Sequence, residues 1–456
     1  MFAPHVRAGL LLAGLFGWLL AFPMFGPLLF ATAGRAAPTA GLTFLFAHGA
    51  GLLLLHRLPT GGAFRQWLPR GAGVLVALLT LSFALGPAAA PAVVYARLAV
   101  IGSAAAVPVL AWVDRWMACE DRLAALAVAM AGANVVVALV SVRIGPAPWL
   151  WLALMALLAA GSAWGLGAPL PGPAAPPTTP DRPAPPVRWA AVAAFALADF
   201  LVGGLWYNSI ATAVPLLGSW QPTVEALTYA AAIAILYRLV RGRHSGQLAR
   251  FSLSALGMGL VVAAAGVGGA GTVPASRALL LFGLAAGDLF YWDQLGQLGT
   301  PAGGRRALGV GLGASLMLIG LANLGASLAL PGEGGPGPLF LLCGAFVLFL
   351  VIPVVFRHAA ETAAGTAAPA GVSNGPAPPL PAHMQAELTQ AERQVYALLV
   401  TGATDQEIAA RLMVTKHTVK FHVRNILHKA DAANRKELLS HLVAEGVAAT
   451  QQQELR

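Results

Sequence analysis

The sequence predicts an all-α chain: a polytopic membrane helix bundle of six plus six crossings, followed by a small four-helix domain suited to water. Three observations carry this reading. Of 456 residues, 58% are hydrophobic and 10% charged, where a soluble globular chain carries about 25% charged residues. Apolar runs rich in Ala, Leu, Val and Gly recur up to Phe356, each close to the roughly 20 residues that a bilayer crossing needs. All four lysines (Lys416, Lys420, Lys429 and Lys436) come after the last run. This composition excludes an ordinary cytosolic enzyme and a disordered chain. The two cysteines, Cys119 and Cys343, are too few for a disulfide scaffold or a zinc cage.

The crossings are expected at 9–31, 40–57, 71–90, 92–113, 123–143, 147–168, 189–210, 222–240, 248–271, 276–295, 306–330 and 338–356. Gly and Pro inside several of them are tolerated in lipid-embedded helices. The first run lacks a small-residue cleavage site and reads as a crossing, not a signal peptide. With a cytoplasmic amino terminus, the inner side holds Arg7, Arg57, Arg65, Arg70, Arg115, Arg122, Arg182, Arg188, Arg238, Arg241, Arg243, Arg250, Arg305, Arg306 and Arg357. The outer side holds only Arg35, Arg97, Arg143 and Arg277. So strong a bias places the basic loops in the cytoplasm, and with them both chain termini, in an inner membrane.

Residues 169–186 contain nine prolines and read as an extended linker after the sixth crossing. Likenesses recur about 180 residues apart on either side of it. Leu55-His56-Arg57-Leu58 matches Leu236-Tyr237-Arg238-Leu239, Arg97 matches Arg277, and Trp112 matches Trp292. This arrangement, over roughly residues 5–358, resembles the major facilitator transporters, which implies two parallel six-helix halves. The expected organisation is a first membrane half (1–168), a Pro-rich cytoplasmic linker (169–187), a second membrane half (188–358), a flexible tether (359–383) and a carboxyl-terminal domain (384–456).

Asp199, Asn208, Glu225, Asp288 and Asp293 fall in crossings seven, eight and ten. Carboxylates inside a bilayer are costly and face a bundle interior or a water-filled cavity. Asp199 and Asp288 read either as a ligand, proton or cation site or as interhelical hydrogen-bond partners. Arg97 and Arg277 read either as snorkelling anchors or as partners of an anionic ligand. Any ligand would be an unknown small-molecule or ion signal. No Ser-His-Asp set, metal-ligand spacing, P-loop or dinucleotide fingerprint occurs, so neither a catalytic site, a metal nor a cofactor is expected.

Residues 359–383 are rich in Ala, Pro and Gly and read as a tether, with an r.m.s. span of roughly 25–30 Å. Beyond it the hydrophobic period is helical. Thr389 can cap a first helix with Val395, Leu398 and Leu399 on its apolar face, and Gly402 ends it. Thr404 and Glu407 have capping-box spacing for a second, with Ile408, Ala409 and Leu412 inward. Thr415 can cap a third and Asn434 a fourth.

The third helix separates chemistry by face. With Lys420 at zero, Arg424, His417, His428 and Phe421 fall at about 40°, 60°, 80° and 100°, while Val419, Val423, Ile426 and Ala430 fall between about 240° and 300°. One side is basic and the other apolar, as in a helix that enters a DNA groove. From Arg411 to Lys436 seven Lys/Arg face one acid, Asp431, although the segment from Leu380 is nearly balanced in charge.

Three motifs stand in order: Leu388-Thr389-Gln390-Ala391-Glu392, then Gly402-Ala403-Thr404-Asp405-Gln406-Glu407-Ile408-Ala409, then Thr418-Val419-Lys420-Phe421-His422-Val423-Arg424-Asn425-Ile426. Over about residues 384–447 they resemble the LuxR/GerE type of helix-turn-helix. The resemblance implies a four-helix domain whose third helix reads the major groove of double-stranded DNA. It implies base-reading roles for Lys420, Phe421 and Arg424, phosphate contacts for Thr418, Asn425 and Lys429, and pairing of two copies through Leu438 and Leu442. His417 shares the reading face. Phe421 is bulkier than the family's usual residue and would favour a thymine methyl.

Together these features read as a membrane-embedded one-component transcriptional regulator. The alternatives are a major-facilitator-like transporter with a regulatory DNA-binding tail, and a membrane scaffold whose basic tail binds anionic lipid.

Overall fold

The computed structural model describes residues 3–58, 62–84, 90–143, 147–168, 192–198 except 194, 220–241, 246–265, 272–298, 304–329, 341–350 and most of 388–438. The described residues are helical throughout, with no strand among them. The chain divides into two compact units, Met1–His358 and Ala359–Arg456.

The first unit opens with α1 (Pro4–Ala21), α2 (Pro27–Ala33), α3 (Ala37–Leu55), α4 (Gly62–Leu81), α5 (Pro91–Met117), α6 (Arg122–Arg143) and α7 (Pro148–Leu166). Its second half continues with α8 (Gln221–Val240), α9 (Gly246–Ala265), α10 (Thr272–Leu298), α11 (Gly304–Ala329) and the short α12 (Leu341–Leu350). Among the described residues, nine helices are long and apolar enough to cross a membrane, with α2 and α3 counted as one.

The boundaries depart from the expected crossings in two places. The expected crossing 9–31 breaks after Ala21, because Pro23 cannot donate a backbone N–H and Pro27 disfavours a helical Gly26. Phe25 takes a positive φ of 55° in this break. A Cβ on Gly26 would stand 2.3 Å from the Ala21 carbonyl oxygen, so the turn requires glycine. The expected crossing 71–90 is displaced towards the amino terminus as α4, which carries Arg70 and an internal Pro69 and is not among the nine. The expected crossing 189–210 lies largely outside the described residues. The expected crossing 338–356 is described only over Leu341–Leu350.

In the first half α1 packs on α6, α3 on α5 and α4 on α7, and in the second half α9 packs on α10. The halves meet where α8 lies on α6 and α11 on α3. Small residues permit that approach. A Cβ on Gly313 would stand 2.9 Å from the Gly49 carbonyl oxygen, and one on Gly320 2.9 Å from the Phe46 ring.

Two buried indoles keep their N–H groups bonded to a neighbouring helix. Trp18 Nε1 donates to Thr80 Oγ1 at 3.2 Å and Trp112 Nε1 to the Ala8 carbonyl at 2.8 Å. The repeated pair Trp112 and Trp292 meets edge to face, with centroids 5.7 Å apart, and Trp116 stacks on Trp112 at 5.4 Å. Polar contacts between the halves gather at the end where the arginine bias expects cytoplasm. Arg305 Nη1 lies 3.5 Å from Asp114 Oδ2, Tyr237 Oη donates to Asp121 Oδ2 at 3.1 Å, and Arg122 Nη1 donates to the Gly296 carbonyl at 3.2 Å.

The second unit contains α13 (Gln390–Val400), α14 (Asp405–Leu412) and α15 (Lys416–Lys429), followed by a helical stretch of which Arg435, Glu437 and Leu438 are described. Its core gathers Leu388, Val395, Tyr396, Leu399, Ala403, Ile408, Ala409, Val419, Ile426, Ala432 and Leu438.

Candidate nucleic-acid interface and the membrane polar groups

Side-chain caps begin α13, α14 and the fourth helix of the second unit. Thr389 N and Oγ1 both donate to Glu392 Oε2 at 2.9 Å, and Glu392 N returns to Thr389 Oγ1 at 3.4 Å. Thr404 N donates to Glu407 Oε2 at 2.7 Å and Glu407 N to Thr404 Oγ1 at 3.3 Å. These reciprocal bonds satisfy amide groups that a helix start would otherwise leave open. The Thr404 bonds also hold the Glu407 carboxyl below the usual carboxylate range. Asn434 Oδ1 accepts from Glu437 N at 3.0 Å, so the fourth helix starts where its cap was expected. Thr415 lies outside the described residues.

Helix α15 divides as its sequence does. Val419 and Ile426 are buried and Val423 packs on the same core. Lys420, Arg424 and His428 are exposed. Phe421 is 48% exposed, which is unusual for a phenylalanine and places its ring on the basic face. The Arg424 guanidinium carbon stands 5.9 Å from the centroid of that ring, within cation–π reach. Thr418 and Asn425 are half-buried at the edges of the face. The His417 side chain lies outside the described residues.

Lys429 and Leu438 each make contacts within the domain. Lys429 Nζ donates to Glu392 Oε2 at 2.7 Å, tying the end of α15 to the start of α13. Glu392 is 4% exposed, and the hydrogen bond from Lys429, with those from Thr389, lowers its carboxyl to about 2. Leu438, expected at a pairing surface, is 1% exposed and packs in the core of its own domain. Leu442 lies outside the described residues.

Arg435 has a structural part that sequence reasoning missed. Its Nη2 donates to the Leu399 carbonyl at 3.2 Å and to the Ala403 carbonyl, and its Nη1 lies 3.8 Å from Asp405 Oδ1. It closes the corner between α13 and α14. An arginine just after a cap is the only local signal, because its partners lie about thirty residues earlier.

In the membrane unit, Asp288 accepts a hydrogen bond from Tyr229 Oη, and Arg277 Nη1 lies 3.3 Å from Glu225 Oε1. Both contacts join α8 to α10, two helices of the second half. Arg97 stands elsewhere: its Nη1 donates to the Ser82 carbonyl at 3.3 Å, and its guanidinium carbon lies 5.6 Å from the Phe83 ring. The structure thus brings Asp288 and Arg277 to one helix pair and leaves Arg97 apart from them. Asp293 accepts from Gln297 at 2.7 Å. Asp199 and Asn208 lie outside the described residues.

Comparisons with known proteins match the carboxyl-terminal residues to one family and most of the chain to another fold. Residues 386–442 match the family described as bacterial regulatory proteins, luxR family. A 52-residue stretch is 44% identical to the HTH-type transcriptional regulator MalT of Vibrio campbellii, and equally to that of Vibrio parahaemolyticus. The match spans 11% of this chain and only 6% of those relatives. The chain also resembles a bacterial homologue of the iron transporter ferroportin in its outward-facing state, with a TM-score of 0.52 and 15% identity over 78% of this chain and 98% of that one. Residues 386–442 are therefore a LuxR-type helix-turn-helix, and most of the chain shares its fold with that transporter homologue.

Proposed function

We propose that this protein is a membrane-embedded one-component transcriptional regulator. The observation that carries the reading is α15: an exposed basic face holding Lys420, Phe421 and Arg424, backed by buried Val419 and Ile426. Lys420 and Arg424 read base edges in the major groove, and Phe421 meets the 5-methyl of thymine. Thr418 and Asn425 hold phosphates and set the register, and His417 lies beside the same groove. Lys429 reaches a phosphate only with the hydrogens left by its bond to Glu392.

The membrane part spans the inner membrane with both termini cytoplasmic, as the arginine bias supports. Its parts are the halves 1–168 and 188–358, the linker 169–187, the tether 359–383 and the domain 384–456. Two copies bind a palindromic site, where the separation of the two domains sets affinity. A small molecule or ion acts at the α8–α10 polar groups, Asp288 and Arg277, and shifts that separation.

Genomic fragments crosslinked to the full-length protein in its own membrane test this. Fragments sharing an inverted repeat, lost with Lys420→Ala/Arg424→Ala, are expected. Recovery no greater than for that variant would overturn it. A second reading, a transporter with a DNA-binding regulatory tail, draws on the transporter-like fold. Solute uptake by a chain ending at residue 358, in cells where no DNA fragment is recovered with the full chain, would favour it.

A further inference from the structure

Neither α4 nor α7 contains an acidic residue, and Arg70 of α4 has an unusual setting. The Arg70 guanidinium carbon lies 5.1 Å from the Trp67 ring centroid and 4.8 Å from that of Trp164. The rings meet edge to face at 6.4 Å, yet both stay on the outer surface, 60% and 54% exposed. Exposed tryptophans on a membrane helix mark the headgroup level. Arg70 itself is half-buried, and its Nε is shut off from solvent without an acceptor among the described residues. Backbone packs against its other side: a Cβ on Gly167 would stand 2.4 Å from the Gln66 carbonyl oxygen and 2.9 Å from Arg70 Nε. A guanidinium held in place, with no carboxylate beside it among the described residues, favours an anion from outside the chain.

The surface beside it has room for a hydrocarbon chain. One turn from Arg70's neighbour Trp67 stands Gly71, and one turn before Trp164 stands Gly161. Both are exposed, and a Cβ on either would meet nothing within 4 Å. Beyond these two bare positions, Leu78 and Leu157 are 60% and 69% exposed. The pattern is a cationic, aromatic rim followed by a shallow apolar track.

We propose that the α4–α7 face binds one anionic phospholipid, its phosphate on the edge of Arg70 between Trp67 and Trp164 and an acyl chain along Gly71 and Gly161. Aromatic rings exclude water from the guanidinium, which strengthens its bond to phosphate. The Arg70 charge, with no acid on α4 or α7, favours an anionic headgroup over one that brings its own ammonium.

The test uses the purified full chain in mixed micelles with phosphatidylglycerol or phosphatidylethanolamine, read by native mass spectrometry and thermal unfolding. Phosphatidylglycerol is expected to stay bound and to raise the unfolding temperature. Arg70→Gln should lower its retention about tenfold, whereas Arg57→Gln, at an exposed arginine beyond α3, should leave it unchanged. If Arg70→Gln does not yield a folded chain, Trp164→Ala keeps the charge and should still lower retention. Equal retention by wild type and both site variants would overturn the proposal. So would equal retention of phosphatidylethanolamine, or equal stabilisation by inorganic phosphate alone.

Discussion

Arg424→Ala is expected to raise the Kd for the protein's preferred DNA site by about 5- to 150-fold, the loss of one bidentate base contact worth about 1–3 kcal/mol. Binding to random DNA should weaken far less, so the ratio of the two affinities collapses towards non-specific binding. The side chain is exposed and set against the Phe421 ring, so its removal leaves the domain core untouched. Mobility-shift titrations over a range of salt separate the effects. The salt slope should fall by about one unit, as for any lost cation, while the specificity loss appears at one base position only. Equal losses on specific and random DNA would show that Arg424 meets phosphate and not a base.

The second large effect concerns Glu392 and Lys429. Glu392→Gln or Lys429→Ala should destabilise the carboxyl-terminal unit by about 1.5–3 kcal/mol, the worth of a charged hydrogen bond at a buried site. For a unit of this size the unfolding midpoint falls by about 10 °C. Amide hydrogen exchange in the full chain reads the change without cutting the unit out. Glu392→Gln/Lys429→Met should lose less than the sum of the two single changes, because no charge is left without its partner and the glutamine oxygen still accepts from Thr389.

Acid gives a second handle on the same pair. The folded carboxyl of Glu392 is held at about 2, against an ordinary value of 4.5. A lowered pKa contributes stability that is present above the unfolded value and is lost as pH falls from about 4.5 through about 2. In Glu392→Gln that acid-dependent loss should shrink. If Lys429→Ala weakened DNA binding with no change in exchange protection, the residue would be acting at phosphate instead of in the fold.

What could be read from the sequence follows the range of the interactions involved. Apolar runs located most of the long helices because lipid demands a local property, length at low charge. The capping residues Thr389, Thr404 and Asn434 were legible because a cap and its partner lie three residues apart. The two faces of α15 were legible because helical period alone assigns them. The break after Ala21 was signalled by Pro23 and Pro27 but masked by the apolar residues around them. The packing partners of Lys429 and Leu438 lie in distant sequence: nothing near Lys429 announces Glu392, 37 residues earlier. The pairing of Asp288 with Tyr229 and of Arg277 with Glu225 likewise needs the packing of α8 on α10. Periodicity identifies which face is polar and leaves the partner unnamed.

The indole cluster of α5 and α10 carries a further consequence. Trp112 and Trp116 lie nearly parallel, 16° apart, and Trp292 from the other half stands almost perpendicular to both, at 77° and 86°. Electronic transitions of rings this close couple, and the sign and size of the coupling depend on those angles. The protein therefore carries its own optical goniometer: a rocking of one half against the other would alter the far-ultraviolet dichroism of three native chromophores, readable in vesicles without an attached dye.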